Sequence, residues 1–314
     1  MPPYAIQSEL GHHHHNQQFS PTTTVMNRYN ATAVAASTTA IYGLAVAGCL
    51  YTSIRLVLDL INKHKTGGKT HRNDDVESDT PSHTKRSLTV VRVVTLAGVI
   101  CALLGNILSI TRFWYLSESY DEFMARHTAV YFFSTAETAL VFITALLVTG
   151  KFTPSSPMSM IRVIQYIFIV FIGLFALILF IMGCVQNYAP MSYDSLQGVY
   201  QNFSHAHLAL LGVATFAISA SLIKRIIHVR RVRVSTAERC ALYAFTSATL
   251  PVLAGQVILS IVFRTTNVAR IPFMQIENPN GYFAYYYISL IFYVLGDVLI
   301  FEFARKAAKK LSTC

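Results

Sequence analysis

The sequence predicts an all-α integral membrane bundle of seven transmembrane helices, with its N-terminus outside and its C-terminus in the cytosol. Three observations predict it. Hydrophobic residues make up 53% of the 314 positions and charged residues only 13%, with a mean hydropathy of +0.45. A soluble domain carries roughly 25% charged residues. The remaining charge is gathered in short segments between seven long apolar runs, and Lys and Arg fall very unevenly on the two sides of those runs.

Hydrocarbon offers the backbone no hydrogen-bond partners, so each crossing must satisfy its own, which a helix of about 20 apolar residues does. The runs cover about 38–61, 88–113, 128–150, 161–186, 204–228, 240–263 and 282–303. Residues 1–37 precede them. They are polar and irregular, with Pro2, Pro3, the run His12 to His15, Pro21 and a threonine run at 22–24. They read as a disordered extracellular tail. The four histidines read as low-complexity sequence, not a metal site. The tail lacks the apolar centre of a cleavable signal peptide, so the first helix is expected to direct insertion.

The fourth run is the strongest, with no charge between Val163 and Cys184. The fifth and sixth carry small polar residues such as Ser219, Ser221, Ser247 and Thr249, which suit helices that face other helices. Orientation follows from the basic residues. With the N-terminus outside, the inner segments 62–87, 151–162, 224–239 and 304–314 hold 18 Lys and Arg, and the outer segments hold 4. The sequons at Asn30 and Asn202 both fall on the outer side and are candidate glycosylation sites. The segment 224–239, with Arg230, Arg231 and Arg233, reads either as a topogenic, lipid-contacting stretch or as a docking site for a cytosolic partner. Residues 304–314 read as a short amphipathic cytosolic tail.

The net charge of +10 belongs to this pattern. Basic residues flank apolar runs, where they meet anionic lipid, so membrane lipid is the expected partner and nucleic acid is not. The five cysteines show no paired outer framework. No lysine lies in the body of a helix, which excludes a retinal Schiff base. There is no P-loop, GxSxG or HExxH, and no enzyme activity, cofactor or metal is expected.

An ionisable group at membrane depth is costly and is a functional candidate by default. Asn106, Glu137 and Gln256 lie about seven to nine residues from the expected outer ends of their helices. At 1.5 Å per residue this puts all three roughly 10–14 Å below the surface. Arg112, His127, His205 and His207 lie nearer that surface. Two readings stand: a ligand site in the outer half, or an interhelical polar clamp in which Glu137 bonds Asn106 or stays protonated. Asp297 lies about 15 residues into the last helix. It reads as a structural pair with a basic residue of the inner loops, a cation ligand or a switch lock. Glu302, at the inner end, is expected to reach headgroups. Pro251 interrupts the sixth helix and permits a bend there. Most of the aromatics at the outer ends read as an interfacial belt.

Seven helices, an outer N-terminus, Pro251 in the sixth helix, basic inner loops and a short tail together resemble the G-protein-coupled receptor superfamily over about 38–314. The resemblance is architectural. The third helix ends LLVTGKF where those receptors carry Asp/Glu-Arg-Tyr, and the seventh reads YVLGDVLIF in place of Asn-Pro-x-x-Tyr. A weaker resemblance rests on Phe263-Arg264, Gly281 and the FYVLGD stretch ending at Asp297, which look like fungal seven-helix proteins of the lipid-translocating exporter type. The first resemblance implies a receptor for a small extracellular ligand that signals to a cytosolic partner, with the plasma membrane as the default location. The second implies a transporter or lipid-handling protein.

Overall fold

A computed structural model describes residues 21–67, 82–114, 119–152, 160–188, 193–232, 234–265 and 279–311. Among these there is no strand. The elements are α1 (Pro21–Gly67), α2 (Ser82–Trp114), α3 (Tyr120–Phe152), α4 (Met160–Tyr188), α5 (Tyr193–Arg231) and α6 (Thr236–Thr265). The last span consists of α7 (Pro279–Leu290), a π-helical turn (Ile291–Leu295) and α8 (Gly296–Leu311). Seven stretches are long and apolar enough to cross a membrane, the number the sequence predicts. The chain is a multi-pass, all-helical membrane protein.

The helices outrun the apolar segments at several ends. α1 begins at Pro21, so residues 21–37, expected in the tail, are helical. Proline suits the first helical position, and no further proline or glycine interrupts the following turns. α5 begins at Tyr193 and takes in Asn202, expected in an outer loop. The segment 304–311 is no separate tail. It continues the last span without a break, and Ala304, Arg305, Ala307 and Ala308 are buried against the bundle. The His12–His15 run and most of the first inner loop lie outside the described residues.

Consecutive spans pack side by side, and α8 closes the ring by touching α1, α2, α3 and α6. α3 is the other central helix, touching α2, α4, α5 and α8. Half of the most apolar stretch of α3 is buried, against 22% for α4. The physical reason lies in composition. α4 presents Val170, Leu174 and Leu177 outward, which lipid solvates as well as a core would, so nothing drives it inside. α3 carries Glu137, Thr144 and Thr149, all buried, which need protein neighbours. Small residues let the central helices close up. A Cβ on Gly98 of α2 would fall 2.5 Å from the Phe301 ring of α8, so that ring sits in the space the glycine leaves.

Two polar clusters lie inside the bundle. One is at the end where Lys and Arg are concentrated, called here the basic end. There Arg305 donates from Nε and Nη2 to both Glu302 oxygens at 2.8 Å, and from Nη1 to Asp59 of α1 at 2.9 Å. Lys309 lies 3.1 Å from the same Asp59, and Lys306 lies 3.4 Å from Glu302. Thr52 also donates to Glu302 at 3.3 Å. Glu302 therefore serves a buried ion network that fastens α8 to α1, where the sequence had suggested headgroup contact. A fork-to-fork pair of this kind fixes geometry as well as charge.

Candidate functional site

The second cluster lies in the middle of the bundle, and its helices bring it together by opposed lean. Helical side chains tilt toward their own N-terminus. α6 starts at the basic end and α8 runs the other way, so Gln256 and Asp297 lean toward each other. Gln256 Nε2 donates to Asp297 Oδ1 at 2.5 Å and to the Phe292 carbonyl at 3.0 Å. Phe292 lies in the π turn, where the widened ladder changes the aim of the carbonyls. Tyr293, from the same turn, donates its hydroxyl to the Gln256 carbonyl at 2.7 Å and contacts the Ser260 hydroxyl. Gly255, beside Gln256, leaves room for the Phe292 ring, which a Cβ at that position would strike.

Glu137 from α3 and Asn106 from α2 complete the cluster. Both are more than nine-tenths buried, and Asn106, Glu137 and Asp297 line one cavity of about 20 Å³ between α1, α2, α3 and the last span. Neither carboxylate takes part in an ion pair among the described residues, whereas Asp59, Glu238 and Glu302 all do. Glu137 Oε1 and Asn106 Nδ2 have no hydrogen-bond partner. Asn106 and Glu137 are thus neighbours on one cavity without forming the direct clamp bond that the sequence left open.

A second cavity of about 70 Å³ adjoins the first. It opens between α3, α4, α5 and α6, on the side away from the basic end, and is lined by Tyr131, Ser204, His207 and Gln256 among others. Ser134, Thr138 and Tyr293 border both cavities, so a polar wall runs continuously from one to the other.

The expected ligand-site residues therefore divide. Asn106 and Glu137 line the first cavity, and Gln256 lines the second. Asp297 links the two, lining the first cavity and bonded to Gln256, and among the described residues it pairs with no basic residue. His205 is exposed on the outer face of α5, and His207, two residues on, faces the second cavity, stacked on Phe175 with ring centroids 6.4 Å apart. Arg112 lies in α2, with its side chain outside the described residues.

Pro251 is exposed on the outer face of an α6 that runs unbroken from Thr236 to Thr265. Arg230 and Arg231 are exposed at the end of α5, and Arg233 lies outside the described residues. The turn between α5 and α6 is held by other arginines. Arg225 pairs with Glu238 at 2.7 Å, and Arg239 donates to the carbonyls of Val229 and Val232 at 3.2 and 3.3 Å. Of the sequons, Asn202 is exposed within α5, and the side chain of Asn30 lies outside the described residues. Of the outer aromatics, Tyr286 and Tyr287 instead contact α1: Thr38 donates to the Tyr286 hydroxyl at 3.4 Å, and Ser37 Oγ lies 2.5 Å from that of Tyr287.

The signal that sequence reasoning missed was the Asp59–Glu302–Arg305 network. The spacing of Glu302, Arg305 and Lys306 at i, i+3 and i+4 was its trace. No family model matches the chain, and neither the curated proteins nor the solved structures contain a match.

Proposed function

We propose that the chain is a receptor-like seven-helix membrane protein, N-terminus outside, that takes a small extracellular ligand into the cavity system around Gln256 and signals to a cytosolic partner. One observation carries this reading. Polar side chains from α2, α3, α6 and the last span converge on adjoining cavities away from the basic end, and the Gln256–Asp297 bond ties those cavities to the packing of α6 on α8. A ligand that binds one packing of α6 and α8 better than the other shifts the population toward it. The expected output is at the basic end, where α6 starts beside exposed Arg230 and Arg231. The plasma membrane is the default location.

Cys240 offers a direct test, because it is exposed near the start of α6 while Cys49 is buried. Reconstituted protein labelled with a fluorophore at Cys240 is screened against a panel of small polar and amphipathic compounds. The proposal expects a compound that changes the label signal in wild type and loses at least tenfold in potency in Glu137→Gln or Gln256→Leu. No responsive compound, with saturable uptake of one into sealed vesicles, would favour transport.

Transport is the second reading, supported by the continuous polar wall that the shared Ser134, Thr138 and Tyr293 provide between the two cavities. In that case Glu137 and Asp297 lie on the substrate or proton path.

A further inference from the structure

We propose that the second cavity takes an uncharged alcohol of about five to seven heavy atoms, its hydroxyl donating to Gln256 Oε1 and its apolar body lying on Phe142, Leu211 and Val257. This ligand class rests on the receptor reading above. Its basis is one amide whose two ends are treated differently. Gln256 is only 2% exposed. Its Nε2 donates to the Phe292 carbonyl and to Asp297. A carbonyl can only accept, so this contact fixes which end of the amide is the nitrogen. The other end, Oε1, is a buried acceptor with no hydrogen-bond partner among the described residues. Gln256 lines the second cavity and not the first, and Asp297 lines the first and not the second. Nε2 is therefore turned toward the first cavity, and Oε1 is left at the wall of the second. A buried acceptor without a donor is costly, and a ligand that brings an O–H removes that cost.

The rest of the lining narrows the ligand. Four of its hydroxyls already spend their protons on the protein. Tyr131 donates to the Leu179 carbonyl at 3.2 Å, Thr138 to the Ser134 carbonyl at 3.0 Å and Tyr293 to the Gln256 carbonyl at 2.7 Å. With the Tyr293 proton so placed, Ser260 is the donor in its contact with the Tyr293 hydroxyl. These four groups offer the cavity lone pairs and no hydrogen, so the wall selects a donor over an acceptor. Among the described residues no Asp, Glu, Lys or Arg lines it, so a charged ligand would meet none of the side chains that carry a full charge at neutral pH. Phe142, Leu179, Leu211 and Val257 supply apolar surface for the body of the ligand. A cavity of about 70 Å³ has room for roughly five to seven water-sized bodies. A sugar or a peptide is too large and too polar for it.

The test uses the purified full-length chain in detergent and four probes built on one ring: cyclohexanol, cyclohexanone, cyclohexylammonium and cyclohexanecarboxylate. Thermal unfolding is followed against probe concentration. The expected result is a saturable rise in Tm with cyclohexanol. The half-saturating concentration should be at least tenfold higher for cyclohexanone, which keeps the size and loses the donor, and for both ions. Gln256→Leu, which removes the acceptor, and Leu211→Trp, which fills the cavity, should each abolish the cyclohexanol response. His205→Ala, on the exposed face of α5, should leave it unchanged. The contrast between alcohol and ketone in wild type decides the matter even if a variant fails to fold. A wild-type Tm indifferent to cyclohexanol, an equal response to alcohol and ketone, or tighter binding of either ion would overturn the proposal. The Cys240 label tests the receptor reading apart from this one. Saturable cyclohexanol binding that leaves the label unmoved would count against signalling and for the ligand class. A label moved by a compound of another class, with no response to cyclohexanol, would do the reverse.

Discussion

The two polar clusters of this bundle contain the same acidic chemistry and differ in what answers it. At the basic end, Asp59 and Glu302 are matched by Arg305, Lys306 and Lys309 within 3.4 Å or less. In the middle, Glu137 and Asp297 form no ion pair among the described residues, and one oxygen of Glu137 has no hydrogen-bond partner there. A charge-balanced network that ties α1 to α8 is complete as it stands, and its role is structural. The acid pair in the middle has no such match among the described residues, which is what the proposed site at Glu137 and Gln256 rests on. The difference teaches that burial alone does not mark a functional carboxylate. The state of its charge balance does.

The largest effect is expected from breaking the balanced cluster. Arg305→Ala removes the buried cation of the network, leaves Asp59 and Glu302 only the exposed Lys309 and Lys306, and should cost about 1.5–3 kcal/mol of stability. Lower folded yield and a lower Tm in detergent would show it. Removing one acid along with the arginine, as in Asp59→Asn with Arg305→Ala, should recover part of the loss. An unchanged Tm in Arg305→Ala would dissolve the distinction between the clusters.

How far the sequence was legible follows the same line. The seven spans could be read because lipid demands long apolar runs, whatever the fold. Asn106, Glu137 and Gln256 could be paired because equal counts from the helix ends mean similar depth. Asp297 escaped that counting. Side-chain lean in antiparallel helices, together with the π turn at Ile291–Leu295, closes a gap that residue counts place a turn or more apart. The choice between His205 and His207 needed the rotation of α5 about its axis, which a helix with polar residues on several faces does not declare. Glu302 reads as a headgroup contact and Arg305 as part of a separate tail because the apolar run ends at about 303, although the helix and its packing continue to Leu311.

Smaller effects sharpen the comparison. Gly255→Val places side-chain atoms in the space of the Phe292 ring and should cost about 1–3 kcal/mol by overpacking. Because it also presses on the π turn, it should alter the Cys240 label signal without any ligand. Gln256→Leu strips Asp297 of the amide that donates to its Oδ1 and should cost about 1–3 kcal/mol. Adding Asp297→Asn should return part of this, since the buried charge is then gone. A full loss in the double variant would mean that Gln256 acts by packing alone.

The smallest effect separates the two histidines. His205→Ala, on the exposed face of α5, should stay within about 0.5 kcal/mol of wild type. His207→Ala, which removes a buried ring stacked on Phe175, should be clearly more destabilising by the same thermal assay. Equal effects would mean that α5 is rotated from the orientation described here.

The most direct test is the Tm of Glu137→Gln, set beside that of Arg305→Ala. If Glu137 has no ion-pair role in the fold, a neutral amide of the same shape should leave the Tm equal to or above wild type, while Arg305→Ala falls sharply. A drop in Glu137→Gln as large as that in Arg305→Ala would make the middle cluster a structural clamp and contradict the account.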